Sequence, residues 1–162
     1  PKSMFPMVLV QQNFYKQTMV FALLFFVLML WDYPPSLHWL WIVPIIAVEY
    51  LMIVACALIG SVLVCFVRDI AMIISLGTVF LMFTSGIFWD VRDLGDPQMT
   101  ETILAVNPVA FVLDAYRQVL MYKVVPDLGH LAMLALIFGA IIVVTILYMR
   151  RASQLLALKA LS

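Results

Sequence analysis

Charged residues are scarce in this chain of 162 residues: they make up 11% of it, whereas hydrophobic residues make up 66%. Soluble domains contain about 25% charged and about 45–50% apolar residues. A chain this short has too little interior to bury so much apolar surface, so the composition excludes a water-soluble fold, and it excludes intrinsic disorder as well. The 9 basic and 9 acidic residues balance to a net charge of zero, which leaves no basic excess for nucleic acid. The composition therefore predicts an integral membrane protein.

The chain also lacks the short motifs of the common enzyme classes. It has no G-x-x-x-x-G-K-[ST] phosphate loop, no H-E-x-x-H zinc motif and no G-x-S-x-G nucleophile elbow. Its two histidines, His38 and His130, are far apart in the sequence and are expected at the membrane interface, not on a metal. We therefore expect no catalytic residue, no cofactor and no metal in this chain.

Four apolar stretches are long enough to cross a bilayer, which takes about 20 residues. They cover residues 14–31, 37–67, 70–89 and 128–149. The consecutive prolines Pro34 and Pro35 cannot continue a helix, and Arg68 with Asp69 separates the second stretch from the third. The pattern predicts an all-α polytopic membrane protein with four transmembrane helices, built as one transmembrane domain over residues 1–162.

The only sizeable polar segment, residues 90–127, lies between the third and fourth predicted spans. Within it, Asn107 followed by Pro108 is a helix-start signal, because the Asn side chain caps free N–H groups and Pro suits the first helical position. Asp114 and Arg117 are three residues apart and are expected to be neighbours on that helix. The segment is predicted to form short re-entrant or interfacial helices at the outer membrane face.

The distribution of Lys and Arg predicts the orientation of the chain. Four spans put both ends and the turn after the second span on one side, which carries six basic residues: Lys2, Lys16, Arg68, Arg150, Arg151 and Lys159. The other side carries three, namely Arg92, Arg117 and Lys123. The positive-inside rule therefore places residues 1–12 and the tail 150–162 in the cytoplasm.

Glu49 is the only acidic residue inside a predicted span. It lies 18 residues before Val67, or about 27 Å along a straight helix, and so close to the outer boundary. Two interpretations stay open. The carboxylate faces a polar pathway near an exit, or it reaches the lipid headgroups or pairs with Arg92 or Arg117.

Three stretches and the final span before Arg150 and Arg151 follow one another in a distinctive order. The stretches are KSMFP at residues 2–6, RDI at 68–70 leading to TSGIFW at 84–89, and NPVA at 107–110 with Tyr116 and Arg117 behind it. This order resembles the membrane subunit of type 2 ATP-binding-cassette exporters, most closely the branch that exports lipid-linked polysaccharides such as O-antigen or teichoic acid. Members usually have six spans, so the resemblance implies the C-terminal two-thirds of such a subunit.

The resemblance implies roles for the matching positions. The cytoplasmic segment that rests on the ATPase subunit, residues 1–12, would include Lys2, Phe5 and Pro6. The outer gate and substrate path would include Trp89, Asn107, Pro108, Tyr116, Arg117 and, as an exit-facing acid, Glu49.

The resemblance also implies partners. These are an ATP-binding-cassette ATPase subunit that binds ATP and Mg, a second permease copy in a homodimer, and a lipid-linked polysaccharide that passes between the two copies. The chain would be a transport subunit, not an enzyme, in contact with the lipids of the bacterial cytoplasmic (inner) membrane.

Two other functions stay open at the level of the sequence. The same permease fold could export a drug or another lipid. Alternatively, the chain is a four-span structural or assembly subunit of a larger membrane complex, which suits its apolar spans and missing catalytic groups equally well. The partner discriminates between these classes, because an exporter must bind an ATPase and a scaffold need not.

Overall fold

The computed structural model describes residues 4–31, 33 and 36–151, and these residues form helices and no β-strand. The α-helices are α1 (Met4–Leu30), α2 (Ile42–Phe66), α3 (Ile70–Thr84), α4 (Pro97–Val106), α5 (Pro108–Arg117) and α6 (Leu128–Arg151). Two 3₁₀ turns, Leu37–Trp41 and Val91–Leu94, and one π-helical turn, Gln118–Tyr122, complete the regular structure. The predicted all-α class is confirmed.

Three helical stretches in the described part of the chain are long and apolar enough to cross a membrane: Gln11–Leu30, Leu37–Phe66 and Leu128–Arg151. The number is four if α4 and the helix Pro108–Tyr122, which are bent by 113° at Asn107, are counted as one broken span. These spans and the apolar composition make the chain an integral, polytopic membrane protein, as predicted.

The third predicted span, residues 70–89, is where the structure differs most from the sequence prediction. Its helix, α3, has 15 residues and is therefore about 22 Å long, whereas the hydrocarbon core is about 30 Å thick. The helix ends at Thr84 because Gly86 takes a left-handed backbone with φ 76°, which starts a turn. The last five residues of the predicted span are thus part of a folded loop.

The segment predicted to precede the first span is continuous with it in the structure. Helix α1 begins at Met4, inside the predicted segment 1–12. Pro6 falls in the first turn of α1, where a missing N–H group costs no intrahelical hydrogen bond.

The chain divides into two compact units. The first comprises Pro1–Pro35, Tyr50–Ala71 and Ala135–Ser162. In it, Val54 and Leu58 of α2 and Met149 of α6 form a buried apolar cluster.

The second unit comprises Ser36–Glu49 and Met72–Leu134 and contains the only sizeable polar segment. Its buried apolar side chains come from the start of α2, from the Val91–Leu94 turn, from α5 with its π-helical turn, and from the start of α6. They are Ile42, Ile45, Val48, Val91, Ala110, Phe111, Val112, Ala115, Val119, Leu120, Leu131 and Leu134. Because five of the ten residues of α5 are buried, it is the central element of this unit.

Candidate functional site

Six residues predicted from the sequence to form an outer gate all lie in the second unit. Five of them belong to residues 85–122, which we call the elbow segment after the 113° bend between α4 and α5. The sixth, Glu49, lies on α2 and contacts the elbow segment. The structure therefore places all six in one neighbourhood.

Asn107 holds the elbow together at its bend. Its Oδ1 accepts hydrogen bonds from the backbone N–H groups of Val109, at 3.1 Å, and Ala110, at 3.2 Å, and so caps α5. Pro108 occupies the first helical position, as its fixed φ favours. The helix start predicted at Asn107 and Pro108 is thus confirmed. The Asn107 Nδ2 group also donates to the hydroxyl of Ser85, at 3.0 Å, and Ser85 is fully buried.

Asp114 of α5 binds a residue that is distant in the sequence. Its two carboxylate oxygens accept hydrogen bonds from Nε and Nη2 of Arg92, both at 2.7 Å, which is a bidentate ion pair. The side-chain amide of Gln118 donates to Oδ2 at 2.6 Å. The hydrogen bonds to Asp114 raise the pKa of the Arg92 guanidinium above its ordinary value.

Arg117, which was expected to be a neighbour of Asp114 on this helix, makes its hydrogen bonds to the loop that follows α3. Although the two are three residues apart on one helix, Arg117 donates from Nη2 to the backbone carbonyl groups of Gly86 and, at 3.3 Å, Trp89. Its carboxylate neighbour is Asp90, at 3.9 Å. Arg117 therefore binds the loop that follows α3, because two carbonyl groups converge there on one guanidinium.

The loop that Arg117 binds presents aromatic side chains. The indole N–H of Trp89 donates to the carbonyl of Phe83 at 2.9 Å, and the Phe83 and Phe88 rings lie 5.6 Å apart. Phe88 is 68% exposed and Trp89 36% exposed. The loop thus carries an aromatic surface whose position is set by hydrogen bonds to its backbone.

Glu49 accepts a hydrogen bond from the hydroxyl of Tyr116, at 2.6 Å. Arg92 and Arg117, the two candidate partners predicted for Glu49, have carboxylate neighbours in Asp114 and Asp90. A role for Glu49 in a polar pathway stays a prediction. The contact joins α2 to α5 within the second unit.

Removing the Tyr116 hydroxyl tests this contact. A hydrogen bond to a charged group contributes about 1.5–3 kcal/mol, so Tyr116→Phe is expected to lower the free energy of unfolding by about that amount. Thermal unfolding of the purified subunit in detergent measures the change. Tyr122→Phe is the matched control: its hydroxyl lies 3.4 Å from Asp90 at an exposed position, so we expect a much smaller loss. Equal losses in the two variants would show that the contact to Glu49 stabilises the fold no more than the exposed contact to Asp90.

The sequence did not identify the polar residues that organise this site. Arg92 and Gln118 carried no motif, Ser85 was named only as part of the stretch TSGIFW at residues 84–89, and the ion-pair partner of Asp114 was not predicted. One signal was present: Asp114 follows the apolar run Val109–Leu113 and precedes an alanine. A single carboxylate in such surroundings indicates a buried acid, and a buried acid needs a charged partner.

The residues predicted to dock an ATPase lie elsewhere. Lys2 is outside the described residues, and Phe5 and Pro6 fall in the first turn of α1. Within the described ranges, no group of three or more His, Cys, Asp or Glu could hold a metal ion.

Comparison with known proteins identifies the family. The family model described as ABC-2 type transporter matches residues 4–121. The chain belongs to the ABC-2 type transporter family. This match contains most of the elbow segment and confirms the predicted type 2 transporter family, whose members are membrane transport subunits.

Part of the chain is similar to an O-antigen export permease. The O-antigen export system permease protein RfbA of Klebsiella pneumoniae is 31% identical over 88 residues, which is 54% of this chain and 33% of the relative. The aligned region thus spans about a third of the relative's length. No solved structure matches the chain.

Proposed function

We propose that this chain is the transmembrane permease part of an ATP-driven exporter that moves a lipid-linked polysaccharide across the bacterial cytoplasmic membrane. The observation that carries the proposal is the family match over residues 4–121, together with the 31% identity to an O-antigen export permease. The family match supports transport, and the relative supports the substrate class.

The energy source in this proposal is a separate ATP-binding-cassette subunit that binds ATP and Mg. Residues 1–162 contain no phosphate loop, which fits nucleotide hydrolysis on a separate subunit. Two permease copies and two ATPase copies form the exporter, and the substrate passes between the permeases. Closure of the ATPase pair moves the segment that contains Lys2, Phe5 and Pro6, and the spans shift as rigid bodies.

The elbow segment is the outer gate in this proposal. Its exposed aromatic side chains, Phe88 and Trp89, can stack on sugar rings, which present apolar faces. Trp89, Asn107, Pro108, Tyr116, Arg117 and Glu49 shape or support this surface. In this proposal α3 is the third of four crossings, so both ends of the chain lie in the cytoplasm, the side that then carries six of the nine basic residues.

The test is co-expression of the tagged full-length subunit with an ATP-binding-cassette ATPase of the same organism, in a host that lacks its own polysaccharide permease. We expect a native mass of two permeases and two ATPases after gentle extraction, and restored surface polysaccharide. A complex without an ATPase, even after mild crosslinking, would favour a structural or assembly subunit. A complex with ATPase that restores drug or lipid efflux but no polysaccharide would refute the substrate class alone.

The docking role gives a prediction in the same experiment. Replacing Lys2 and Phe5 together by alanine is expected to reduce co-purification of the ATPase several-fold, because a charged contact and an apolar contact are both lost, while membrane insertion is unchanged. Lys159→Ala removes a basic residue from the other end of the chain and should leave co-purification intact. Undiminished co-purification of the double variant would contradict the docking role.

A further inference from the structure

We propose that Asp114 and Arg92 are positioning residues of the outer gate: their ion pair joins the aromatic loop, residues 86–92, to α5, so that loop and helix move as one body. The inference rests on the proposed function only in so far as it describes this segment as a gate. The mechanical connection itself rests on the geometry of the second unit.

The charge of Asp114 is buried. Among the residues whose side chains the structure describes, it is the only buried charged one, at 1% exposure. Both oxygens are engaged by Arg92, and Gln118 supplies a further donor. A buried carboxylate that loses such a partner stays desolvated without compensation, so separation of the pair is strongly unfavourable.

Arg92 is the last residue of the aromatic loop, so its backbone is part of that loop. Its N–H group donates to Oδ1 of Asp90 at 3.0 Å, and its neighbour Val91 is fully buried. The carbonyl of Val91 accepts a hydrogen bond from the hydroxyl of Thr100 at 3.0 Å. The end of the loop is therefore held by side chains of both α4 and α5.

The beginning of the loop is held independently. Arg117 donates to the carbonyl of Gly86, and Asn107 donates to Ser85. The loop is thus attached at both ends, and the exposed rings of Phe88 and Trp89 lie between the two attachments. Because the pair with Asp114 is buried and bidentate, we infer that it persists while the gate opens.

Hydrogen–deuterium exchange of the full-length subunit in lipid nanodiscs tests the connection. In the wild type, backbone amides at residues 91–94 should exchange equally slowly without nucleotide and in the ATP-trapped state with the ATPase bound. In Asp114→Asn, which keeps the shape and removes the charge, we expect exchange at 91–94 to be about tenfold faster or more in both states. Peptides from α2 and α6 should exchange as in the wild type.

Asp93→Asn is the matched control, because it makes the same chemical change at an exposed position of the Val91–Leu94 turn, next to Arg92. It should leave exchange and export unchanged. Arg92→Lys keeps the charge but not the bidentate geometry, and should retain part of the protection and part of the export rate. If Asp114→Asn does not accumulate, Arg92→Gln combined with Asp114→Asn buries no charge and should show the same faster exchange.

Three results would overturn the proposal. They are equal exchange at 91–94 in Asp114→Asn and the wild type, a rise that spreads to all helices, and loss of protection at 91–94 in the ATP-trapped wild type. The last would mean that the pair breaks as the gate opens. If the proposed function is wrong, the wild type will show no polysaccharide export. The exchange measured without nucleotide can still be interpreted in that case.

Discussion

Replacing Gly86 by alanine is expected to cause one of the largest losses of stability in the elbow segment. An alanine in the left-handed region costs about 1–2 kcal/mol. The added Cβ would also lie 2.9 Å from Cγ2 of buried Val91 and 3.0 Å from the carbonyl oxygen of Trp89, and overpacking of this kind costs about 1–3 kcal/mol. We therefore expect a total of roughly 2–5 kcal/mol, measured as a lower midpoint of thermal unfolding in detergent.

Two other glycines separate the causes of this loss. Gly95 also has a positive φ, 72°, but nothing lies within 4 Å of an added Cβ, so Gly95→Ala should show only the backbone cost. Gly77 lies in α3 with open space around it, and Gly77→Ala should be neutral or slightly stabilising, since Ala favours a helix. Equal losses at Gly86 and Gly95 would show that the close approach of Val91 and Trp89 does not matter.

Replacing Asn107 by alanine is expected to cause a comparably large loss of stability, because its side chain both caps α5 and donates a hydrogen bond to Ser85. Loss of the α5 cap costs about 0.5–2 kcal/mol. Loss of the Nδ2 donor also leaves the fully buried hydroxyl of Ser85 poorly satisfied, at about 1–3 kcal/mol. Thermal unfolding should therefore report a loss of roughly 1.5–5 kcal/mol, and polysaccharide export should fall with it if the elbow is the gate.

Asp96 provides the comparison for Asn107, since it caps α4 in the same way but makes no second contact of this kind. Its Oδ1 accepts from the N–H groups of Gln98 and Met99, at 3.0 and 3.4 Å. Asp96→Ala should thus cost about 1 kcal/mol. Asn107→Ser keeps a capping oxygen and loses the amide donor, so it should fall between the two. A loss for Asn107→Ala no larger than that for Asp96→Ala would contradict the double role.

The candidate site shows which contacts a sequence can predict. The start of α5 was predicted because the signal is local: an Asn side chain reaches the N–H groups two and three residues ahead whatever the rest of the fold does. The partner of Asp114 was not predicted, because helical spacing offered Arg117 at three residues and the structure uses Arg92 at 22 residues. Helical spacing gives possible neighbours, and loop closure decides between them.

The sequence by itself determined that this protein lies in a lipid bilayer, and it determined the helical class, the family and the start of the helix at Asn107. Composition decides the first because a bilayer accepts apolar surface that water does not, and a backbone in lipid must satisfy its hydrogen bonds within helices. Only the tertiary structure decided where α3 ends, which cation neutralises Asp114, and that Ser85 and Asn107 meet. The end of α3 depends on the left-handed turn at Gly86. The other two features are contacts between residues 22 positions apart in the sequence, at buried positions where an unpaired polar or charged group is costly.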